Sequence, residues 1–150
     1  MKVIVVSGGF DPLHSGHISY FEDAKSYGDK LIVALNSDSW LEKKKGKFFM
    51  PFSERKSIIE SLKYVDEVID FDDDEIGSCI LGLEKVKELY KGEEIFFANG
   101  GDRGKSNTPE QDVCEELGIE MLWGVGGDYK RNSSSDLAKN LVENYPKDNT

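Results

Sequence analysis

Two histidines, His14 and His17, stand three residues apart in a glycine-rich stretch that runs from Gly8 to His17. The chain contains no other histidine. With this spacing at the start of a helix, both side chains can address the same small group. Backbone N–H groups without helical partners and the helix dipole favour an anion there. The pattern therefore predicts a nucleotide phosphate site.

The residues around the histidines predict a strand, a tight turn and a helix. Gly8 and Gly9 follow an apolar run, and because they lack a Cβ the backbone can approach a ligand closely. Ser15 is the predicted N-cap of the helix. That cap would direct three backbone amides out of the helix start, those of Gly16, His17 and Ile18.

Other interpretations of the histidine pair are weaker or stay open. A zinc site would need a third histidine or a nearby cysteine pair, and the sequence has neither. A structural role, with both rings bonded to backbone, stays open. The dinucleotide fingerprint G-x-G-x-x-G and the Walker phosphate loop are both absent, which argues against a hydride-transfer enzyme.

The wider pattern predicts the elements that position this turn. Five apolar runs alternate with five helical stretches, which is typical of parallel βαβ units. We expect an α/β, Rossmann-like single domain over 1–150, with a five-stranded parallel sheet, helices on both faces and a frayed tail from about 146. Predicted strands cover 2–7, 31–35, 64–71, 94–98 and 120–123. Predicted helices cover 15–27, a stretch from 53, 76–90, 108–117 and a last stretch with Leu137, Leu141 and Val142.

Local signals refine this outline. Gly28 is expected to end the first helix in a left-handed conformation, and Ser53 to cap the second. Residues 39–52 have weak periodicity and are expected to form a loop. For the acidic run 72–75, a metal site is considered, but a solvated helix start is favoured. Polar, glycine-rich turns follow the first, second, fourth and fifth strands, so they are expected to meet in one crevice.

Composition limits the classes of function. The formal net charge is −10, which argues against nonspecific nucleic-acid binding. Positive charge concentrates in 43–47 and at Arg55 and Lys56. No apolar run reaches the roughly 20 residues of a membrane helix, and no signal-peptide cleavage region is evident, so a cytoplasmic protein without membrane contact is expected. Cys79 and Cys114 are expected to be buried, reduced thiols.

The stretch Gly8–His17 resembles the H-x-G-H signature of the cytidylyltransferase-like nucleotidyltransferases. Further similarities follow in the family's order and cover most of the chain: 36–38, 43–46, 54–55, 64–69, Gly101-Asp102 and 133–135. This order resembles both glycerol-3-phosphate cytidylyltransferase and the heptose 1-phosphate adenylyltransferase domain. A fragment similar to class I aminoacyl-tRNA synthetases is disfavoured, because the chain is short and lacks a basic surface for tRNA.

The resemblance implies an activity. Family members move a nucleotidyl group from a nucleoside triphosphate to a phosphate monoester and release pyrophosphate. CTP is expected first, because chain length and loop register resemble the glycerol-3-phosphate enzyme. ATP acting on a sugar phosphate is the alternative, and a non-catalytic nucleotide-binding regulatory module is a rival from another class. Mg²⁺ carried by the triphosphate, with no protein ligand, and a homodimer are also implied.

The resemblance also implies residue roles. His14 and His17, helped by Lys44 and Arg55, would stabilise charge in the reaction, and Lys43 and Lys45 would contact the acceptor phosphate. Surface ion pairing is the alternative for Arg55, and stabilising its own turn is the alternative for Asp11. The insert 104–108 could touch the acceptor. Nucleotide contacts are expected from Gly8, Gly9, Phe10, Asp11, Gly16, Gly101, Asp102, Lys130, Ser133 and Ser134.

Overall fold

The apolar runs pair into a five-stranded parallel sheet of order β3-β2-β1-β4-β5 in the computed structural model, which describes residues 1–100 and 108–126. The strands are β1 (Lys2–Gly8), β2 (Lys30–Leu35), β3 (Glu67–Ile69), β4 (Glu94–Gly100) and β5 (Glu120–Val125). The helices within these ranges are α1 (Ser15–Ser26), α2 (Asp38–Lys45), α3 (Phe52–Glu60), α4 (Ile80–Leu89) and α5 (Pro109–Leu117). The predicted α/β Rossmann-like class is confirmed.

Strand β1 lies at the centre of the sheet, where the strand order reverses. Val3 pairs with Lys30 of β2 on one side and with Ile95 of β4 on the other. The chain therefore builds β1, β2 and β3 outward in one direction and returns to the opposite side for β4 and β5. In open parallel sheets, ligands bind at the carboxyl ends of the strands at such a reversal. This places the expected crevice at the ends of β1 and β4.

Each face of the sheet carries its own hydrophobic core. Ile4 and Val6 of β1 belong to the core that contains Phe21 of α1 and Ile59 of α3. Side chains alternate along a strand, so Val3 and Val5 belong to the opposite core, with Leu83 and Val86 of α4 and Cys114 of α5. Helices therefore cover both faces. Burial on both faces explains why the central strands read as continuous apolar runs.

Residues 39–52 do not form one loop, as the sequence pattern suggested, because α2 occupies most of the first half. Ser37 is its N-cap and accepts from the Trp40 amide at 3.0 Å, and Gly46 ends it with a φ of 85°. Three lysines in its last turn interact favourably with the negative, C-terminal end of the helix dipole. Because Leu41 is its only buried residue, the helix leaves no apolar periodicity in the sequence.

Three other boundary predictions were wrong. The C-cap of α1 is Tyr27, with a right-handed φ of −83°, and not Gly28. Glycine is needed at position 28 for another reason, because a Cβ there would lie 2.8 Å from the Lys2 carbonyl oxygen. Helix α3 is capped by Pro51, one residue before its first residue Phe52, and not by Ser53. The acidic run 72–75 is not a helix start, because α4 begins at Ile80.

The acidic run instead shapes a turn, in which Asp74 accepts from the amides of Ile76 and Ser78 at 3.2 and 2.8 Å. Among the described residues, no group of three His, Cys, Asp or Glu side chains could hold a metal ion. None of the helices in the same ranges has the length and apolar character to cross a bilayer. The predicted last helix and tail lie outside the described residues.

Candidate active site

The turn after β1 is organised by Phe10, whose backbone adopts a left-handed φ of 49°. Such a conformation costs a bulky residue about 1–3 kcal/mol and persists where the surroundings compensate. Here the buried ring stacks edge-on with the rings of His17 and Phe21, at centroid distances of 4.9 and 5.0 Å. Phe10 was expected to touch nucleotide. That contact stays a prediction, and the structure places the buried Phe10 ring edge-on to the His17 ring.

Gly8 and Gly9 are required by packing inside the protein. A Cβ on Gly8 would lie 2.8 Å from the Phe10 ring. A Cβ on Gly9 would lie 2.7 Å from Leu41 and 3.3 Å from the Trp40 indole. Gly9 thus allows α2 to pack directly against the histidine turn, and Gly8 leaves room for the Phe10 ring.

His14, and not Ser15, is the N-cap of α1. The His14 Nδ1 accepts from the Gly16 amide at 3.1 Å, and the His17 Nδ1 accepts from the His14 amide at 3.2 Å. This reciprocal pattern is a capping box built from two imidazoles. The amides of His17 and Ile18 bond the His14 carbonyl oxygen at 3.0 and 3.2 Å. The three amides expected to face a phosphate therefore have partners within the turn.

The capping box fixes the chemistry of both rings. Each Nδ1 accepts a backbone N–H, so each neutral ring carries its proton on Nε2. The rings are stacked, with centroids 3.8 Å apart and planes 26° apart. His14 and His17 thus form a stacked pair at the carboxyl end of the central strand, and the backbone bonds of both Nδ1 atoms agree with the structural role that the sequence left open.

Asp11 connects this turn to the segment after α2. The residue is 5% exposed, and its carboxylate accepts from the amides of Phe49 and Met50 at 2.5 and 2.7 Å. Asp11 therefore stabilises a turn 38 and 39 residues away along the chain instead of its own. Its predicted contact with nucleotide stays a prediction, and in this structure both of its carboxylate oxygens bond backbone amides.

Arg55 is buried and does not present its guanidinium to a crevice, contrary to expectation. It donates to the carbonyl oxygens of Met50, Gly9 and Asn36 at 2.9, 2.9 and 2.8 Å, and to Asp38 Oδ1 at 2.7 Å. Its side chain is 0% exposed. The guanidinium therefore joins the turns after β1 and β2, the start of α2 and the segment before α3. The alternative of a surface ion pair is also wrong, because the pair with Asp38 is buried on the arginine side.

The three candidate lysines stand on a helix. Lys43, Lys44 and Lys45 form the exposed last turn of α2. The Lys44 Nζ lies 4.5 Å from the centre of the Trp40 ring. Because Trp40 packs against Gly9, α2 sets the position of these ammonium groups relative to the histidine turn.

Sequence reasoning missed the residues that tie α1 to the far side of the crevice. The Tyr20 hydroxyl donates to the Ala98 carbonyl at 2.6 Å, and Asp23 accepts from the Gly126 amide at 2.7 Å. Buried Asn99, at an irregularity in the pairing of β4 with β5, donates to the Leu122 carbonyl at 3.2 Å. The sequence signal that could have identified the contacts of α1 is a pair of polar side chains, Tyr20 and Asp23, three residues apart on one face of the helix.

Several predicted contacts fall outside the described residues. These are Gly101, Asp102, Lys130, Ser133, Ser134 and most of the 104–108 insert.

Comparisons with known proteins identify relatives of the chain. The bifunctional protein HldE of Enterobacter sp. (strain 638) is 37% identical over 112 residues, which is 67% of this chain and 24% of that protein. HldE of Citrobacter koseri is 37% identical over 113 residues, with the same coverage. The chain thus spans about a quarter of the length of these relatives.

A solved structure shares the fold. The lipopolysaccharide core biosynthesis protein from Thermoplasma volcanium superposes with a TM-score of 0.63 and 28% identity, covering 82% of this chain and 93% of that one. The family model described as cytidylyltransferase-like matches residues 5–140. With the H-x-G-H turn at the reversal point of the sheet, the chain belongs to the cytidylyltransferase-like family of nucleotidyltransferases.

Proposed function

We propose that the protein transfers a nucleotidyl group from ATP to the phosphate of a small sugar phosphate and releases pyrophosphate. The observation that carries this proposal is the stacked pair of His14 and His17, whose Nδ1 atoms are bonded to backbone. These backbone bonds fix the orientation of both rings, and the neutral form of each ring carries its donor on Nε2. Donors fixed in this way stabilise the charge that develops on the α-phosphoryl group and on the departing pyrophosphate.

The reaction needs positioning more than proton transfer. An acceptor phosphate oxygen attacks the α-phosphorus in line, and the bond from that phosphorus to the bridging oxygen breaks to release pyrophosphate. A phosphate monoester has its second pKa near ~6, so at neutral pH the nucleophile is already largely dianionic. The ammonium groups at the end of α2 reduce the repulsion between the two anions.

Mg²⁺ is proposed as a companion of the triphosphate. The described residues fit a metal bound by phosphate oxygens and water, because the Asp11 carboxylate is occupied by two backbone amides. When bound, the ion would supply further neutralisation of phosphate charge.

The choice between ATP and CTP rests on resemblance to known enzymes. The motif order resembles the heptose 1-phosphate adenylyltransferase domain, and the structural neighbour from Thermoplasma volcanium is a lipopolysaccharide core biosynthesis protein. These two points favour ATP and a sugar phosphate. CTP remains the second candidate, because chain length and loop register resemble the glycerol-3-phosphate enzyme.

The test is a matrix of pyrophosphate-release assays. ATP and CTP, with Mg²⁺, are each combined with sugar 1-phosphates, other sugar phosphates and glycerol 3-phosphate. Turnover with ATP and a sugar phosphate is the expected result. Turnover confined to CTP would replace the first candidate with the second. Nucleotide binding without turnover for any pair would overturn the enzymatic proposal and support a regulatory module.

A further inference from the structure

Four side chains follow one another at intervals of three residues, from the N-cap of α1 into its third turn: His14, His17, Tyr20 and Asp23. Residues three apart are neighbours on a helix surface, so the four form one oblique row. The first two members are the stacked histidines. The other two are polar groups to which the proposed reaction gives no role.

The side of the crevice opposite the histidines is the far edge, formed by the carboxyl ends of β4 and β5 at 98–100 and 124–126. The Tyr20 hydroxyl donates to the Ala98 carbonyl oxygen there at 2.6 Å. The pairing of β4 with β5 shifts register between Ala98 and Gly100, and such an irregularity disrupts the ladder of backbone hydrogen bonds locally. Tyr20 therefore supports the far edge at the point where the pairing of the strands is irregular.

Asp23 makes the second connection between α1 and the far edge. Its carboxylate accepts from the Gly126 amide at 2.7 Å, and a hydrogen bond to a charged acceptor is about twice as strong as one between neutral groups. Gly126 has a φ of 87°, and a Cβ there would lie 3.2 Å from the Tyr20 Cα. The chain after β5 therefore lies against the backbone of α1, and this close approach needs glycine.

The histidine end of the row is held independently of these two bonds. Both Nδ1 atoms bond amides of the first turn, and the Phe10 ring packs edge-on against the His17 ring. Removal of the Tyr20 hydroxyl or the Asp23 carboxylate therefore leaves the histidine contacts in place and releases only the far edge.

We propose that Tyr20 and Asp23 are positioning residues, which set the far edge relative to the histidines so that one nucleotide contacts both. Ligands of open parallel sheets bind where the strand order reverses, which here is between the ends of β1 and β4. The phosphates lie at the histidines and the nucleoside at the far edge. This inference rests on the proposed function and adds two residues that act through the backbone of β4 and β5.

The test measures binding without an acceptor, so that it needs no turnover. Calorimetric titration compares ATP with tripolyphosphate, which has the same chain of phosphates but no nucleoside, at one Mg²⁺ concentration. CTP replaces ATP if the assay matrix selects it. Tyr20→Phe removes the hydroxyl, and Asp23→Ala removes the carboxylate. Tyr27→Phe and Glu22→Gln are the matched controls, because both side chains are exposed and belong to α1 or its C-cap.

Tyr20→Phe and Asp23→Ala are each expected to bind ATP about tenfold more weakly than wild type and to keep the wild-type affinity for tripolyphosphate. A general loss of structure would weaken both ligands, and thermal unfolding checks that every variant is folded. Asp23→Asn keeps an oxygen acceptor for the Gly126 amide, so its ATP affinity should lie within about threefold of wild type. The controls bind both ligands as wild type does.

Equal weakening of both ligands, or no weakening of either, in folded variants would overturn the inference, as would ATP binding by Asp23→Asn as weak as that by Asp23→Ala. Failure of wild type to bind tripolyphosphate would overturn it too, because the histidines would then not hold phosphate alone.

Pyrophosphate release in the assay matrix decides the proposed function separately. The expected binding pattern without turnover would contradict the proposed function and leave the positioning role intact. Turnover with equal weakening of both ligands would do the reverse. Failure of wild type to bind either ATP or CTP would contradict both.

Discussion

His14 combines two tasks on two atoms of one ring. Nδ1 caps α1, and Nε2 is the donor proposed to act on phosphate. Because the tasks belong to different atoms, one substitution can remove the second and keep the first. The Oδ1 of asparagine stands where Nδ1 stands, and asparagine is a preferred N-cap.

We therefore predict that His14→Asn folds with a free energy of unfolding within about 1 kcal/mol of wild type. Its kcat falls about a hundredfold, as expected for loss of one preorganised donor. Guanidinium unfolding and pyrophosphate release measure the two effects. His14→Ala, which loses cap and donor together, is the comparison. Wild-type kcat in His14→Asn would exclude a role for Nε2 in the reaction.

The histidine spacing predicted that both rings share one turn, and the structure brings them into contact. It did not predict that the rings cap the helix, because Ser15 is the more usual capping residue at that point. The positive φ of Phe10 leaves no signal in the sequence either, since it is sustained by rings that meet only after α1 packs on the sheet.

Helix α3 acts on the site through one side chain. Arg55 bonds three carbonyl oxygens and one carboxylate on segments that are far apart in sequence. Among these segments are the turn before the histidines and the first residue of α2. Removing the guanidinium would leave these acceptors buried or half-buried without their partner.

Arg55→Met is expected to lower the free energy of unfolding by about 3–5 kcal/mol, the usual cost of removing one partner from a buried ion pair. Denaturant titration measures it, with Glu54→Gln on the exposed side of α3 as the control. Asp38→Asn, which keeps an acceptor, should be milder. A loss in Arg55→Met no larger than in the control would show that the network adds no stability.

The strands were predictable because burial on both sides gives unbroken apolar runs. Helix α2 was not predictable, because its single buried residue, Leu41, produces no apolar periodicity in the sequence. In the sequence, Arg55 resembles an exposed cation. Its burial depends on hydrogen bonds to the carbonyl oxygens of Gly9 and Asn36, which precede it by 46 and 19 positions. Interactions over such separations have no local pattern.

Across the whole molecule, the face of the sheet opposite α1 buries two thiols that couple its stability to pH. Burial, above all, raises the pKa of Cys79 to about 12 and that of Cys114 to about 11, from a usual value of 9.0. The Glu110 carboxylate beside them acts in the same direction. Both cysteines are unpaired and buried, as the sequence predicted.

Above pH 9.0 the unfolded chain loses thiol protons that the folded chain keeps. The free energy of unfolding should therefore fall as pH rises, by up to about 1.4 kcal/mol per pH unit for each thiol. Urea unfolding between about pH 8 and pH 10.5 measures this slope. Cys79→Ala is the control and should give a shallower decline. Identical slopes would contradict the pKa shift of Cys79.

The βαβ alternation predicted the architecture and the edge of the sheet that carries the site. It could not supply the strand order, because pairing partners are chosen by packing between distant segments. The homodimer and Mg²⁺ stay predictions, and light scattering would measure the first against the chain mass of 16.8 kDa.

Trp40 has a practical consequence for kinetic work. The chain has only two tryptophans, and the other, Trp123, is half-buried in β5. Replacing Trp123 with phenylalanine would leave a single tryptophan between the histidine turn, where it packs on Gly9, and the turn after β3, where it bonds the Gly77 carbonyl. A substrate that displaces water or the Lys44 ammonium from the Trp40 ring would change the fluorescence of that ring. Stopped-flow fluorescence would then measure the binding rate of each substrate and establish whether binding is ordered or random.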